Sequence, residues 1–325
     1  MPPLPPSTVL SDPFEGETAL PSRLHRRNRY RAHPPNFTDL ATRYPEFAQR
    51  TRISSSGRAT IDFQDPLSVR ELTLTLLKAD FNLALDIPRH TLCPMIPNRL
   101  DYIHVIEDLV GTGSSHIEQR SMIGLDIGTG ASCIYPLLAC RLNPHWKFIA
   151  TGKYIHKPSI SVARQNVANN GLSSKIQVLE NPDPTTVLNS LILDSVDRDT
   201  QIDFCMCNPP FYGSSDEISE LRDNKALPPF AVCEGQPHEM ITPGGEALFV
   251  IQMITESLRW TTRIKWYTSL LGKYSSLEKV IEVLNTNKIH NYGFTEICQG
   301  STRRWILIWS FSGQRLLIKV GPAQL

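Results

Sequence analysis

The sequence predicts an α/β fold: a mostly parallel, seven-stranded sheet with an antiparallel last strand, preceded by an N-terminal helical extension. Three observations predict it. Short, nearly all-apolar stretches recur at 122–128, 147–151, 175–179 and 202–207, with helix-like stretches between them around 133–142, 158–169 and 184–194. These strands are apolar throughout rather than on alternate residues, the pattern of a parallel sheet covered on both faces. The last two strand candidates, "YGFTEICQG" and "RRWILIWSF", are joined by a link too short for a crossover helix, so that pair is antiparallel.

Taken in order, residues 1–36 read as a disordered and basic N-terminal arm. Its first 22 residues are rich in Pro, Ser and acids. Then "RLHRRNRYRAHPPN" carries Arg23, Arg26, Arg27, Arg29 and Arg31 with no acid among them and Tyr30 in their midst. A solvated arm or nuclear-import signal explains this run as well as a phosphate-binding arm whose aromatic stacks on a base. Residues 37–115 read as a small helical subdomain. Val69, Leu72, Leu76 and Leu77 recur at helical spacing, as do Leu100, Ile103, Ile106 and Leu109, with Gly111 placed to stop the second helix. Residues 116–325 hold the sheet. Beyond its first four strands, 245–260 reads as a helix, "RIKWYTSLLG" as a strand and 275–287 as a helix.

Composition narrows the function classes. The 325 residues are 41% hydrophobic, enough for a sizeable core, and the net charge of +1 excludes a globally basic nucleic-acid binder. Binding to nucleic acid must then come from a local patch. Seven cysteines lack zinc-like pairing and read as reduced core thiols. His90, His104, His116 and His145 are scattered without metal-ligand spacing, so no metal site is expected. No 18-residue apolar run occurs, and "MPPLPPSTVL" has neither region of a signal peptide. The expectation is a soluble intracellular protein.

Two stretches carry chemistry. "LDIGTGAS" (125–132) sits where the first strand turns into a helix. Gly128 and Gly130 permit a tight turn and close approach of a ligand to the backbone. The third glycine of the dinucleotide fingerprint is missing, since Cys133 stands there. With Asp126 before it and Ser132 after it, the turn resembles that of S-adenosylmethionine methyltransferases, where the acidic residue handles the amino-acid end of the cofactor. An ordinary strand-to-helix turn explains the stretch too.

The second is Asn208-Pro209-Pro210-Phe211, which ends the fourth strand. Ligands of open parallel sheets sit beyond the carboxyl ends of the strands, and strands one and four are commonly neighbours, so the two turns belong side by side. An exocyclic amine on a flat ring is a poor nucleophile because its lone pair is delocalised. The Asn208 side-chain oxygen and the Pro209 carbonyl can each accept one of its N–H groups and free that lone pair. Phe211 can stack on the ring, and the prolines stiffen the turn. The same tetrapeptide type serves enzymes that methylate a protein glutamine, so it gives the chemistry better than the substrate.

Together "RNRY", "YIHVIEDL", "DIGTGASCIYPLL", "DFCMCNPPF", "PGGE", "KWYTSLLGK" and "TEICQG" followed by "RRW", in this order from about residue 24 to 311, closely resemble the methyltransferase-like 16 family. These are adenosine N6-methyltransferases of U6 small nuclear RNA, relatives of enzymes that methylate an adenine in ribosomal RNA. The resemblance implies a Rossmann-like class I methyltransferase, S-adenosylmethionine as cofactor, structured RNA (U6) as partner, and a nuclear location, with a cytoplasmic one left open. It implies cofactor contacts from Arg99, Gly128, Ser132, Thr185 and Asn208, and a target adenine held by Asn208 to Phe211. It also implies RNA contacts from Arg27, Arg29, Arg31 and Arg304, which tips the reading of the arginine run toward binding. Ribosomal RNA and protein glutamine remain alternative substrates.

Three departures stand out. Family members end the second strand with "AT" and an acidic residue that binds the cofactor ribose, whereas here Gly152 follows "IAT" in a slightly longer segment. Losing that carboxylate costs about 1.5–3 kcal/mol of cofactor affinity. Gly-Lys-Tyr can be encoded by GGT AAG TAT, which contains the splice-donor sequence GTAAGT, so the segment reads as a gene-model insertion. A chain that binds RNA without turnover is the competing reading, and sequencing the transcript separates them. The loop after Phe211 has only Arg222 and Lys225 before "ALPPF", less basic than the family norm, and the sequence lacks the C-terminal RNA-binding domain of vertebrate members. His238 and Glu239 read as a plain loop near the site, Trp260, Trp266, Trp305 and Trp309 as core, and Ser54 to Gly57 as a turn.

Overall fold

Helix caps and prolines set the boundaries of the first hundred residues. Asn28 caps α1 (Arg29–Ala32) and Asn36 caps α2 (Phe37–Arg43), each side chain accepting backbone N–H groups of the first turn. After α3 (Pro45–Ala48) comes a hairpin, β1 (Thr51–Ile53) and β2 (Ala59–Ile61), closed by Ser54 and by Gly57 at φ 78°. The turn was legible in the sequence; its two strands were not, and the helical reading of 37–115 is corrected there. Asp65 caps α4 (Pro66–Phe81), which stops at Asn82 in the left-handed region. α5 (Ile96–Val110) ends at Gly111, φ 79°, as its sequence predicts.

The sheet follows in this computed structural model, which describes residues 24–55, 57–111, 121–153, 157–183, 185–189, 193, 200–218, 235–299 and 302–316. Its elements are β3 (Met122–Ile127), α6 (Ile134–Leu142), β4 (Trp146–Lys153), α7 (Lys157–Asn169), β5 (Ile176–Asn181) and β6 (Ile202–Cys207). Then come α8 (Pro237–Met240), α9 (Gly245–Trp260), β7 (Ile264–Leu271), α10 (Tyr274–Thr286), β8 (Tyr292–Gln299) and β9 (Thr302–Trp309). The spatial order is β5-β4-β3-β6-β7-β9-β8. β9 alone runs against the rest, pairing antiparallel with both β7 and β8. This is the seven-stranded Rossmann-like arrangement with an antiparallel last strand. One expected helix is not helical at its described start: 185–189 are turns, bends and irregular backbone, while Leu193 N–H donates to Asn189 O. The reason is local. Asp183 accepts the Thr185 N–H and hydroxyl, and Glu256 of α9 takes the N–H groups of Val187 and Leu188. The rest of 184–194 lies outside the described residues.

Apolar side chains pack on both faces of the sheet. One face carries α9 and α10. The other carries α6 and α7 and continues without a break into α4, α5 and the residues around Tyr30 and Phe37. Tyr102 of α5 crosses this junction: its hydroxyl is 2.8 Å from Thr268 Oγ1 of β7 and accepts the Cys207 N–H at the end of β6. The helical region therefore supports the strand that delivers Asn208.

The arm is tied down from residue 24. Its first 23 residues lie outside the described ones. Tyr30 is only 5% exposed and its hydroxyl donates to Asp80 Oδ2 at 2.7 Å, so it is a core residue and not a stacking platform. Burial pushes its pKa well up. The six described cysteines form no disulfide, and five are buried, as the sequence predicts.

Candidate active site

β3 and β6 are parallel neighbours, with Asp126 beside Met206 and Ile127 beside Cys207. The glycine turn and the Asn208 turn therefore leave the sheet at the same edge and form two walls of one cavity of about 340 Å³. Gly128 to Ser132 form one wall and Asn208 to Pro210 another. Arg99 enters from α5, Gly152 and Ile160 close the far end, and His238 stands at α8. Gly128 has φ 76° and Gly130 φ 63°, conformations a side chain would strain.

The walls carry buried polar atoms with no partner in the protein: Arg99 Nε and Asn208 Oδ1. Such atoms are costly unless a ligand satisfies them. Arg99 is aimed by Tyr135, whose hydroxyl accepts from Nη1 at 3.1 Å and whose ring lies 5.3 Å below the guanidinium. Asp126 stands behind the turn, 1% exposed, with Oδ2 unpartnered. Burial pushes its pKa up to about 7 against the lowering pull of the Thr129 hydroxyl and the Arg99 charge. A guanidinium and a buried carboxylate around a glycine turn form a donor and acceptor set for a zwitterionic amino-acid group.

Thr185 is exposed and bonded to Asp183, while its neighbour Thr186 lines the cavity. Phe211 is half-buried beyond Pro210, edge-on to Tyr212, with Arg304 over its ring at 5.4 Å. Arg27 is engaged: it reaches Glu107 at 2.9 Å, Asp108 at 2.7 Å and the His104 carbonyl. Arg29 pairs with Asp80 and keeps a side chain 47% exposed, and Arg31 is exposed with one bond to the Leu24 carbonyl.

Gly152 differs from an open glycine. A Cβ built there would lie 2.2 Å from Ile160 Cδ1, so any side chain at 152 requires Ile160 to shift. His238 and Glu239 are not plain loop either. They form α8, and the Glu239 carboxylate accepts the N–H groups of Gln236 and Leu92, drawing the 88–94 segment against the cavity. Asn166 was invisible in the sequence: fully buried on α7, it bonds both backbone groups of Asp86 and the Ala131 carbonyl behind the turn. Its partners are 35 and 80 residues away, beyond any local pattern. Among the described residues no group of three or more His, Cys, Asp or Glu could hold a metal, and no helix is long and apolar enough to cross a membrane.

A family model described as RNA methyltransferase matches residues 18–313. The chain belongs to this RNA methyltransferase family. Among curated family members, the mouse (Mus musculus) RNA N(6)-adenosine-methyltransferase METTL16 is 43% identical over 297 residues, 90% of this chain and 52% of that protein. The U6 small nuclear RNA (adenine-(43)-N(6))-methyltransferase of Schizosaccharomyces pombe is 39% identical over 267 residues, 81% of this chain and 65% of that one. The chain thus spans about half the length of the mouse relative. Among solved structures, the human METTL16 catalytic domain in complex with MAT2A 3′UTR hairpin 1 superposes with TM-score 0.80 at 42% identity, covering 90% of this chain and 96% of that one. The N-terminal domain of human METTL16 in complex with SAH gives 0.73 at 40%, covering 89% and 99%.

Proposed function

We propose that this chain transfers a methyl group from S-adenosylmethionine to N6 of an adenosine in structured RNA, with U6 small nuclear RNA the favoured substrate. The single observation that carries the reading is the shared cavity joining the glycine turn to Asn208. Its unpartnered Arg99 Nε, with Asp126 behind, fits the amino-acid end of the cofactor, and the unpartnered Asn208 Oδ1 is left for the target amine. When bound, the cofactor supplies an electrophilic sulfonium methyl.

The chain's own residues do the rest. Asn208 Oδ1 and the Pro209 carbonyl accept hydrogen bonds from the two N–H groups of the adenine amine, which moves electron density back onto N6. Pro209 is buried and Pro210 half-buried, so these acceptors are preorganised and need no reorganisation during reaction. Phe211 offers the base a stacking surface. Of the arginines proposed for RNA, Arg29 and Arg31 have the freer charge, since Arg27 is already paired with two carboxylates. We assign the arm (1–36) and the helical region (37–115) to RNA binding, 116–325 to methyl transfer, and the chain to the nucleus, on the same resemblance and on relatives that act on U6.

The experiment is transfer of labelled methyl from S-adenosylmethionine to U6 RNA, with Asn208→Ala beside the unaltered chain. Label in N6-methyladenosine that Asn208→Ala abolishes supports the reading; transfer to a protein glutamine, or none at all, refutes it. One observation favours a second reading, an RNA binder without turnover: position 152 has no carboxylate, and Ile160 Cδ1 lies 2.2 Å from where a Cβ there would be. U6 binding with no detectable label would support it.

A further inference from the structure

Phe211, next to the cavity-lining Pro210, does not stand alone. Arg304 of β9 lies over its ring and donates from Nη1 to the Gly272 carbonyl at 3.2 Å. Gly272 follows β7, and its own N–H is accepted by Glu246 Oε2 at 2.7 Å. The next N–H, of Lys273, goes to Oε1 of the same carboxylate at 2.8 Å. Glu246 is only 2% exposed at the start of α9, so both its oxygens are committed to fixing this loop. A Cβ at position 272 would lie 3.0 Å from Glu246 Oε2, 3.2 Å from Arg304 Nη1 and 3.5 Å from Phe211 Cδ1. Three groups converge on one glycine.

We propose that Arg304 is a positioning residue for Phe211, set by the Glu246–Gly272 loop, and that it governs turnover of the bound adenine beyond any contribution to RNA affinity. The proposal rests on Phe211 being the base platform. The guanidinium covers one face of the ring and holds its tilt, which leaves the opposite face for the base. A planar cation can stack and donate in this way at once, whereas the compact ammonium of lysine cannot. Charge alone is therefore not what the position requires.

The test uses the full chain with a U6 RNA fragment containing adenine 43, saturating S-adenosylmethionine, and the variants Arg304→Lys and Gly272→Ala. RNA affinity is read by fluorescence anisotropy, kcat and KM by label transfer, and cofactor binding by calorimetry as the folding control. Arg304→Lys keeps the charge, so RNA affinity should stay within about twofold. Its kcat should fall about tenfold, because misplacement of the platform costs rate. Gly272→Ala alters no charge and should lower kcat in the same way. An Arg304→Lys chain with weaker RNA binding and intact kcat would reduce Arg304 to a phosphate contact and overturn the proposal. So would a rise in rate with either variant, which would mean that the guanidinium occupies the face the base needs. No turnover by the unaltered chain sinks the proposed function and this inference with it; turnover that neither variant changes sinks this inference alone.

Discussion

Gly152 offers the sharpest quantitative test, because the structure opposes the obvious substitution. An acidic side chain at the end of the second sheet strand accepts hydrogen bonds from ribose hydroxyls in Rossmann-like sites. Restoring it by Gly152→Asp should recover about 1.5–3 kcal/mol of charge-assisted bonding, ten- to a hundredfold in Kd. Yet its Cβ would sit 2.2 Å from Ile160 Cδ1 in a position where Ile160 is 2% exposed. Overpacking of this kind costs about 1–3 kcal/mol of folding stability and turns the crowded carboxylate away from the ribose, so the gain is not realised. Ile160→Val removes the offending Cδ1. The expected series by calorimetric titration of S-adenosylmethionine is therefore uneven: Gly152→Asp binds no tighter than the unaltered chain, and Gly152→Asp with Ile160→Val binds about tenfold tighter or more. An analogue lacking the ribose hydroxyls should show no such gain. If the double variant binds like the unaltered chain, the cofactor ribose does not lie beside residue 152 and the reasoning fails.

Three further outcomes are expected. Asp126 has its pKa raised from 3.8 to about 7 by burial, so the folded state binds a proton the unfolded chain has lost between those values. Its contribution is intact below about pH 4 and is lost as pH rises to about 7, at up to about 1.4 kcal/mol per pH unit. Asp126→Asn should accordingly stabilise the cofactor-free protein by roughly 4 kcal/mol at pH 8 and by almost nothing at pH 4 in urea unfolding; equal effects at both would be wrong for this group. Asn166→Ala removes three side-chain hydrogen bonds, one buried and two part-buried, and should lower unfolding stability by about 2–3 kcal/mol, and a loss under about 0.5 kcal/mol would contradict that accounting. Replacing Arg29 and Arg31 by Ala should flatten the slope of log K against log salt for RNA binding by about 1.4–1.8, and an unchanged slope would remove both from the interface.

The sequence announced the site better than its surroundings, for a physical reason. The glycine turn and the Asn208 turn carry their signals in adjacent residues, and the neighbouring of the two strands follows from a general property of such sheets. The helix end at Gly111 was legible through the same short range. What stayed hidden is nonlocal. Nothing near Tyr30 reveals Asp80, nothing near Arg27 reveals Glu107 and Asp108, and nothing near Gly152 reveals that Ile160 folds back over it. A charged run with an aromatic looks like an open binding arm until its partners, tens of residues on, are in place. The Pro-Asp-Pro stretch at 182–184 misled for the opposite reason: the apolar spacing after it suits a helix, but Asp183 and Glu256 claim the backbone donors first.

The junction at Tyr102 also sets a clock for synthesis. Its hydroxyl partners with Thr268, 166 residues later in the chain. At ribosomal speeds of about 5–20 residues per second, the helix that carries Tyr102 waits roughly ten to thirty seconds for the strand that completes its core. During that interval the apolar faces of α4 and α5 are only partly covered, because their shared core with the sheet is not yet complete. Slow translation or a shortage of chaperones should therefore harm this protein through its first hundred residues, and those residues expressed alone should aggregate.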